Sequence, residues 1–188
     1  MKGFLAGVVV TVLTLVVATY IYFSSGMAPV ATSAPMMPME RTLAHMALDA
    51  IIDKEMPKTI PVQATEPNYL AGAHGYLDNC AVCHGAPGKQ PTAISRGEFP
   101  RPPKLLEGKG VTDDPAGETY WKTANGIRLS GMPGFKESLS ETQMWQISLM
   151  LANADKLPPS VMAVLSGQAD ATPAAATPAP AAAQPDTK

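Results

Sequence analysis

Cys80-Ala81-Val82-Cys83-His84, reached through the run Gly72-Ala73-His74-Gly75-Tyr76-Leu77-Asp78-Asn79, decides how this chain of 188 residues is read. Cys-x-x-Cys-His is the spacing that attaches a c-type haem. On a helical turn, two thiols three positions apart can each bond one vinyl group of the same porphyrin. The next side chain, His84, is then carried directly under the iron. Rival uses of the motif explain less. A thioredoxin-like dithiol sits between a strand and a helix and does not need the histidine. A structural zinc site needs four ligands, and the chain holds no second Cys or Cys/His pair. A plain disulfide between Cys80 and Cys83 leaves His84 without a role.

Upstream of the motif, Glu66-Pro67 opens a helical pattern with proline at the first helical position. Tyr69, Leu70, Ala73, Tyr76 and Leu77 make one apolar face that ends at Cys80. Gly72 and Tyr76 lie eight and four residues before Cys80, on that face. A glycine there lets a second helix approach backbone to backbone, with the aromatic ring packed beside it. Leu139-Ser140-Glu141-Thr142-Gln143 starts such a helix, with Ser140 as N-cap and Gln143 three residues on, a capping box. Met144, Trp145, Ser148, Leu149, Leu151 and Ala152 follow, and Pro158-Pro159 closes the segment. Trp145 is the aromatic expected opposite Gly72. A shorter helix is expected over Asp114 to Asn125, ended by Asn125-Gly126.

Gly72-x3-Tyr76-x3-Cys80-x2-Cys83-His84-Gly85, the later Ser130-Gly131-Met132-Pro133-Gly134-Phe135 and the closing aromatic-bearing helix together resemble a class I (mitochondrial-type) c-type cytochrome. The resemblance covers roughly Pro67 to Ala154 and rests on three separated elements in the family's order. It points toward membrane-anchored bacterial monohaem cytochromes and cytochrome c subunits of respiratory complexes. It implies an all-α fold wrapped around one covalently bound haem c, with a sixth ligand from a methionine after the third helix. Met132 matches that pattern. It lies forty-eight positions after His84 (132 − 84), ample chain to wrap a porphyrin edge. Gly131 permits close backbone approach and Pro133 stiffens the turn.

Met144 and Met150 fall in the helical stripe and read as core, whereas Met36, Met37 and Met39 belong to a linker. His45 and His74 are the alternatives for a second histidine ligand, and both read as surface residues. The family uses a proline carbonyl to accept from the ligand histidine, and Pro103-Lys104-Leu105 resembles that stretch, with Pro102 as the near alternative. Arg96, Arg101 and Trp121 are candidates for the haem propionates, although each reads more readily as an ordinary surface or core residue.

The two ends of the chain have other compositions. Gly3 to Phe23 is 21 residues without a formal charge, broken by Thr11, Thr14 and Thr19. As a helix it spans roughly 31 Å, about the hydrocarbon thickness of a bilayer. It exceeds the apolar core of a signal peptide, and Ala31-Thr32-Ser33-Ala34 is followed by Pro35, a poor cleavage context. Residues 1–26 therefore read as a single transmembrane anchor. Lys2 before it and Arg41 after it favour a cytoplasmic N-terminus, so the haem domain faces the periplasm from the inner membrane. Residues 27–65 read as a linker with an amphipathic helix near 40–56, striped by Leu43, Met46, Ala47, Ala50 and Ile51. That stripe either covers the globular domain or meets a partner. Residues 66–160 are the cytochrome domain, and residues 161–188 an Ala/Pro-rich tail expected to be disordered.

Fourteen basic against sixteen acidic residues leave a net charge of −2, which excludes a basic nucleic-acid binder. His/Met ligation leaves no open iron position, so the expected chemistry is one-electron transfer between membrane redox complexes, without substrate turnover by this chain. Between Glu66 and Ser160 nine basic and ten acidic residues nearly cancel, which predicts docking through a small apolar patch with modest salt dependence. A fixed subunit of a larger oxidoreductase is the alternative, and a five-coordinate haem sensor or peroxidase is a more distant one.

Overall fold

The computed structural model describes residues 1–168; residues 169–188, most of the expected tail, lie outside the described residues. Two helices cross where a side chain is missing. Helix α3 (Glu66–Asn79) has its proline in the first turn, where no intrahelical N–H is needed. Helix α7 (Glu141–Ala152) starts at the Ser140–Gln143 capping box, with both reciprocal bonds made. At the crossing, a Cβ on Gly72 would fall on the Gln146 carbonyl, with Met150 Cβ 2.9 Å away. Gln146 and Met150, rather than Trp145, therefore lie opposite Gly72. Trp145 faces another way and stacks on Tyr120, with centroids 4.2 Å apart and planes inclined by 16°.

Ala73 and Tyr76 of α3 share a core with Ile147, Met150 and Leu151 of α7. Each large side chain fully removed from water there contributes about 1.5–3 kcal/mol. Val161 and Leu165 complete the same cluster from α8 (Pro159–Ser166). This corrects the boundary drawn at residue 160. The double proline ends α7's segment but also starts a new helix, because proline is at ease in a first turn. A hydrogen bond from Ser160 to Glu66 fastens α8 to the start of α3.

Helix α6 (Ala116–Asn125) begins two residues later than Asp114, since Pro115 is extended (ψ 134°) and serves as the N-cap. It packs on α7 and ends at Gly126, whose φ of 69° suits glycine. Among the described residues there is no strand, and the fold is all-α.

Helix α1 (Lys2–Ser24) contains an 18-residue stretch with a mean hydropathy of 2.4 and is long and apolar enough to cross a membrane. Helix α2 (Glu40–Glu55) docks on α6, but not through its expected stripe. Ile52 is 2% exposed, whereas Leu43 and Met46 are 50% and 61% exposed. Glu55 accepts a 3.1 Å hydrogen bond from Trp121 Nε1. Beyond the helix, the Pro57 carbonyl lies where Gly117 would carry a Cβ. Helix α2 thus has two apolar sides, one docked and one open.

Candidate haem site

The attachment motif forms a turn of its own. Cys80 caps α3, and α4 (Ala81–His84) continues from it, with the N–H groups of Cys83 and His84 both donating to the Cys80 carbonyl at 3.1 and 2.9 Å. Gly85, with φ 79°, stops the turn. Its carbonyl accepts from the buried Tyr76 hydroxyl at 2.6 Å, which pins the turn to α3. Thr92 caps α5 (Ala93–Gly97) and donates its hydroxyl to the Val82 carbonyl at 2.6 Å, which closes the other side.

His84 Nδ1 lies 2.7 Å from the Pro103 carbonyl. A carbonyl only accepts, so Nδ1 carries the proton and Nε2 keeps its lone pair, the tautomer a metal needs. Leu105, two residues on, packs against the core cluster and anchors that segment. Burial, then the neighbouring Cys83, pushes the Cys80 thiol up to about 12. Burial and then Glu98, whose Oε1 is 3.2 Å from Cys83 Sγ, push Cys83 up to about 11. Both sulfurs therefore carry protons at neutral pH. A cavity of about 130 Å³ opens beside Cys83 and His84, with Arg96 and Arg101 in its lining. Trp121, the third propionate candidate, gives its N–H to Glu55 instead.

Met132 sits on a loop held by backbone. Ile127 N–H donates to the Met132 carbonyl at 3.1 Å, Phe135 N–H to Thr123 at 2.9 Å and Lys136 N–H to Ala124 at 3.3 Å. Two glycines make this pairing possible. A Cβ on Gly126 would stand 2.5 Å from Gly134 N and 2.6 Å from the Pro133 carbonyl carbon, and one on Gly134 would stand 2.8 Å from the Ala124 oxygen. Inside the loop, Ser130 Oγ donates to the Ile127 carbonyl at 2.7 Å and accepts from Met132 N–H at 3.2 Å. The attachment turn and the Met132 loop come together at Glu98, which accepts from Cys83 and lies where a Cβ on Gly131 would be 2.8 Å from its carboxylate. Met144 and Met150 are buried in the core, and His45 and His74 are exposed.

Residues 67–149 match the family model described as cytochrome C oxidase, cbb3-type, subunit III. This region is a class I c-type cytochrome. A search of curated proteins returns no match to the chain. The cytochrome's cofactor is covalently bound haem c, and its chemistry is electron transport. The donor set suits that group, with two protonated thiols on one turn and an imidazole already in its metal-binding tautomer.

Some of the cytochrome's site escaped sequence reasoning. Thr92 carried a signal, a hydroxyl residue before a short helix, the ordinary N-cap pattern. Ser130 lay in the quoted motif without a role. Nothing around Glu98 pointed to the site, because its neighbours Cys83 and Gly131 are distant in sequence.

Proposed function

We propose that this cytochrome passes single electrons between membrane redox complexes, through a haem c attached at Cys80 and Cys83 with His84 and Met132 as axial ligands. The observation that carries this reading is the 2.7 Å bond between His84 Nδ1 and the Pro103 carbonyl. Without a metal there to serve, nothing requires an imidazole to be locked in one tautomer. Haem c supplies an iron that alternates between ferric and ferrous states. His84 keeps a fixed orientation in both. The Met132 loop is paired to the end of α6 by backbone and braced by Ser130, so the proposed thioether ligand sits on an ordered segment.

Electrons leave where the attachment turn meets solvent. Val82 and Ile94 are exposed at the attachment turn and the helix beside it, and Leu129, in the Met132 loop, is 95% exposed at a φ of 61°. A leucine gains nothing from packing there and strains its backbone. An apolar partner surface supports its presence, which agrees with modest salt dependence. With α1 in the inner membrane, the haem domain works on the periplasmic side.

A fixed subunit of an oxidoreductase is a second reading, favoured by α2. Because Ile52, Glu55 and Pro57 fasten that helix to α6, only residues 25–39, with Ala28 buried among them, connect it to α1.

The test is optical. The oxidised, haem-loaded protein shows the long-wavelength charge-transfer band of sulfur-ligated ferric haem, and the reduced form binds carbon monoxide slowly. Absence of the band with rapid carbon monoxide binding establishes the five-coordinate alternative instead. Co-purification with a membrane complex through detergent separates fixed subunit from mobile carrier.

A further inference from the structure

Glu98 lies between the two walls of the haem site, half-buried, with its Oε1 3.2 Å from Cys83 Sγ. Gly131 makes room for it, since a Cβ there would stand 2.8 Å from both Cδ and Oε1. Glu98 has no ion-pair partner among the described residues, where Lys104–Glu107, Lys109–Asp113 and Lys122–Glu118 pair instead. Its side-chain hydrogen bond comes from the Cys83 thiol.

Haem attachment removes that donor. The Cys83 S–H adds across a vinyl C=C of the porphyrin, so that a C–S bond and a C–H bond form while the S–H bond and the π bond break. No electron is gained or lost. The resulting thioether has no proton to donate.

We propose that haem attachment converts Glu98 from an acceptor for the Cys83 thiol into an unpaired negative charge at the haem edge, which holds the reduction potential down. The charge favours ferric over ferrous iron, because the oxidised centre is one unit more positive. Half-burial strengthens the effect, since the effective dielectric there is below that of water. The proposal rests on the reading that Cys83 carries the haem, and is independent of Met132 as ligand.

Redox titration of the full-length, haem-loaded protein in detergent tests it, comparing wild type with Glu98→Gln and Glu98→Asp. Removing the charge in E98Q raises the midpoint by about 30–59 mV, equivalent to a roughly three- to tenfold gain for the ferrous form at about 59 mV per tenfold. E98D keeps the charge and stays closer to wild type than to E98Q. Haem content and the charge-transfer band are the same in all three. An E98Q potential equal to wild type overturns the proposal, as does an E98D shift as large as that of E98Q, which would mean that shape and not charge matters. Glu98→Ala makes the same comparison where glutamine prevents haem loading. A wild-type protein without a Soret band refutes the haem reading itself, a separate result from an unchanged potential.

Discussion

On the proposed His84/Met132 ligation, the two walls of the candidate haem site are built on opposite plans. The proximal wall is a continuous pentapeptide, Cys80 to His84, braced by Tyr76, Thr92 and Pro103. The distal wall is a loop 48 residues further on, held by backbone pairing with the end of α6 and by one serine (132 − 84). Five local residues keep their geometry because helical hydrogen bonds dictate it. A loop keeps its geometry only while its neighbours do, so the distal side is the one to fail first under strain.

Breaking both walls together needs a change beneath them. Gly72→Val drives two methyl groups into the α7 backbone and costs more than about 3 kcal/mol. Thermal unfolding of the haem-loaded protein then falls by at least about 12 °C. A midpoint within a few degrees of wild type would show that α3 and α7 do not cross there.

The walls separate in Met132→Ala. Haem stays bound at Cys80 and Cys83, the charge-transfer band disappears, and carbon monoxide binds the reduced protein rapidly. Loss of haem from this variant would mean that the distal wall also governs attachment.

Gly126→Ala strikes the distal wall through its backbone, combining a φ of 69° with the crowding against Pro133 and Gly134. A cost of about 1–3 kcal/mol is expected. The charge-transfer band weakens at room temperature while the Soret intensity holds. The mildest change is Ser130→Ala, which removes both hydrogen bonds of the Ser130 hydroxyl, together worth about 1–2 kcal/mol. On heating, its band fades several degrees before that of wild type, and Ser130→Thr restores it. Identical fading in all three would assign the loop's order to backbone pairing alone.

Legibility in the sequence followed the same division. Helices α3 and α7 were readable because their caps, apolar faces and the attachment motif are local patterns. Trp145 was expected one position away from the true crossing at Gln146, since periodicity finds a face but not a contact atom. Helix α8 was hidden by Pro158-Pro159, which reads as a stop, and by the Ala/Pro-rich sequence that follows. Helix α2 carries two apolar sides, and the sequence left open whether its stripe covers the domain or meets a partner. Leu43, Met46, Ala47 and Ala50 make the more regular stripe, yet the buried residue is Ile52. Glu98 reaches Cys83 and Gly131 only through loop folding, which no local pattern encodes.

The fastening of α2 to α6 also has a spatial consequence. Fifteen residues, 25 to 39, separate the end of α1 from the start of α2 (40 − 24 − 1), a leash of roughly 50 Å at full stretch. On the proposed anchoring of α1 in a bilayer, that length would hold the domain under a shallow dome above one point of the surface. The proposed donor and acceptor would then have to stand within that dome as lateral neighbours.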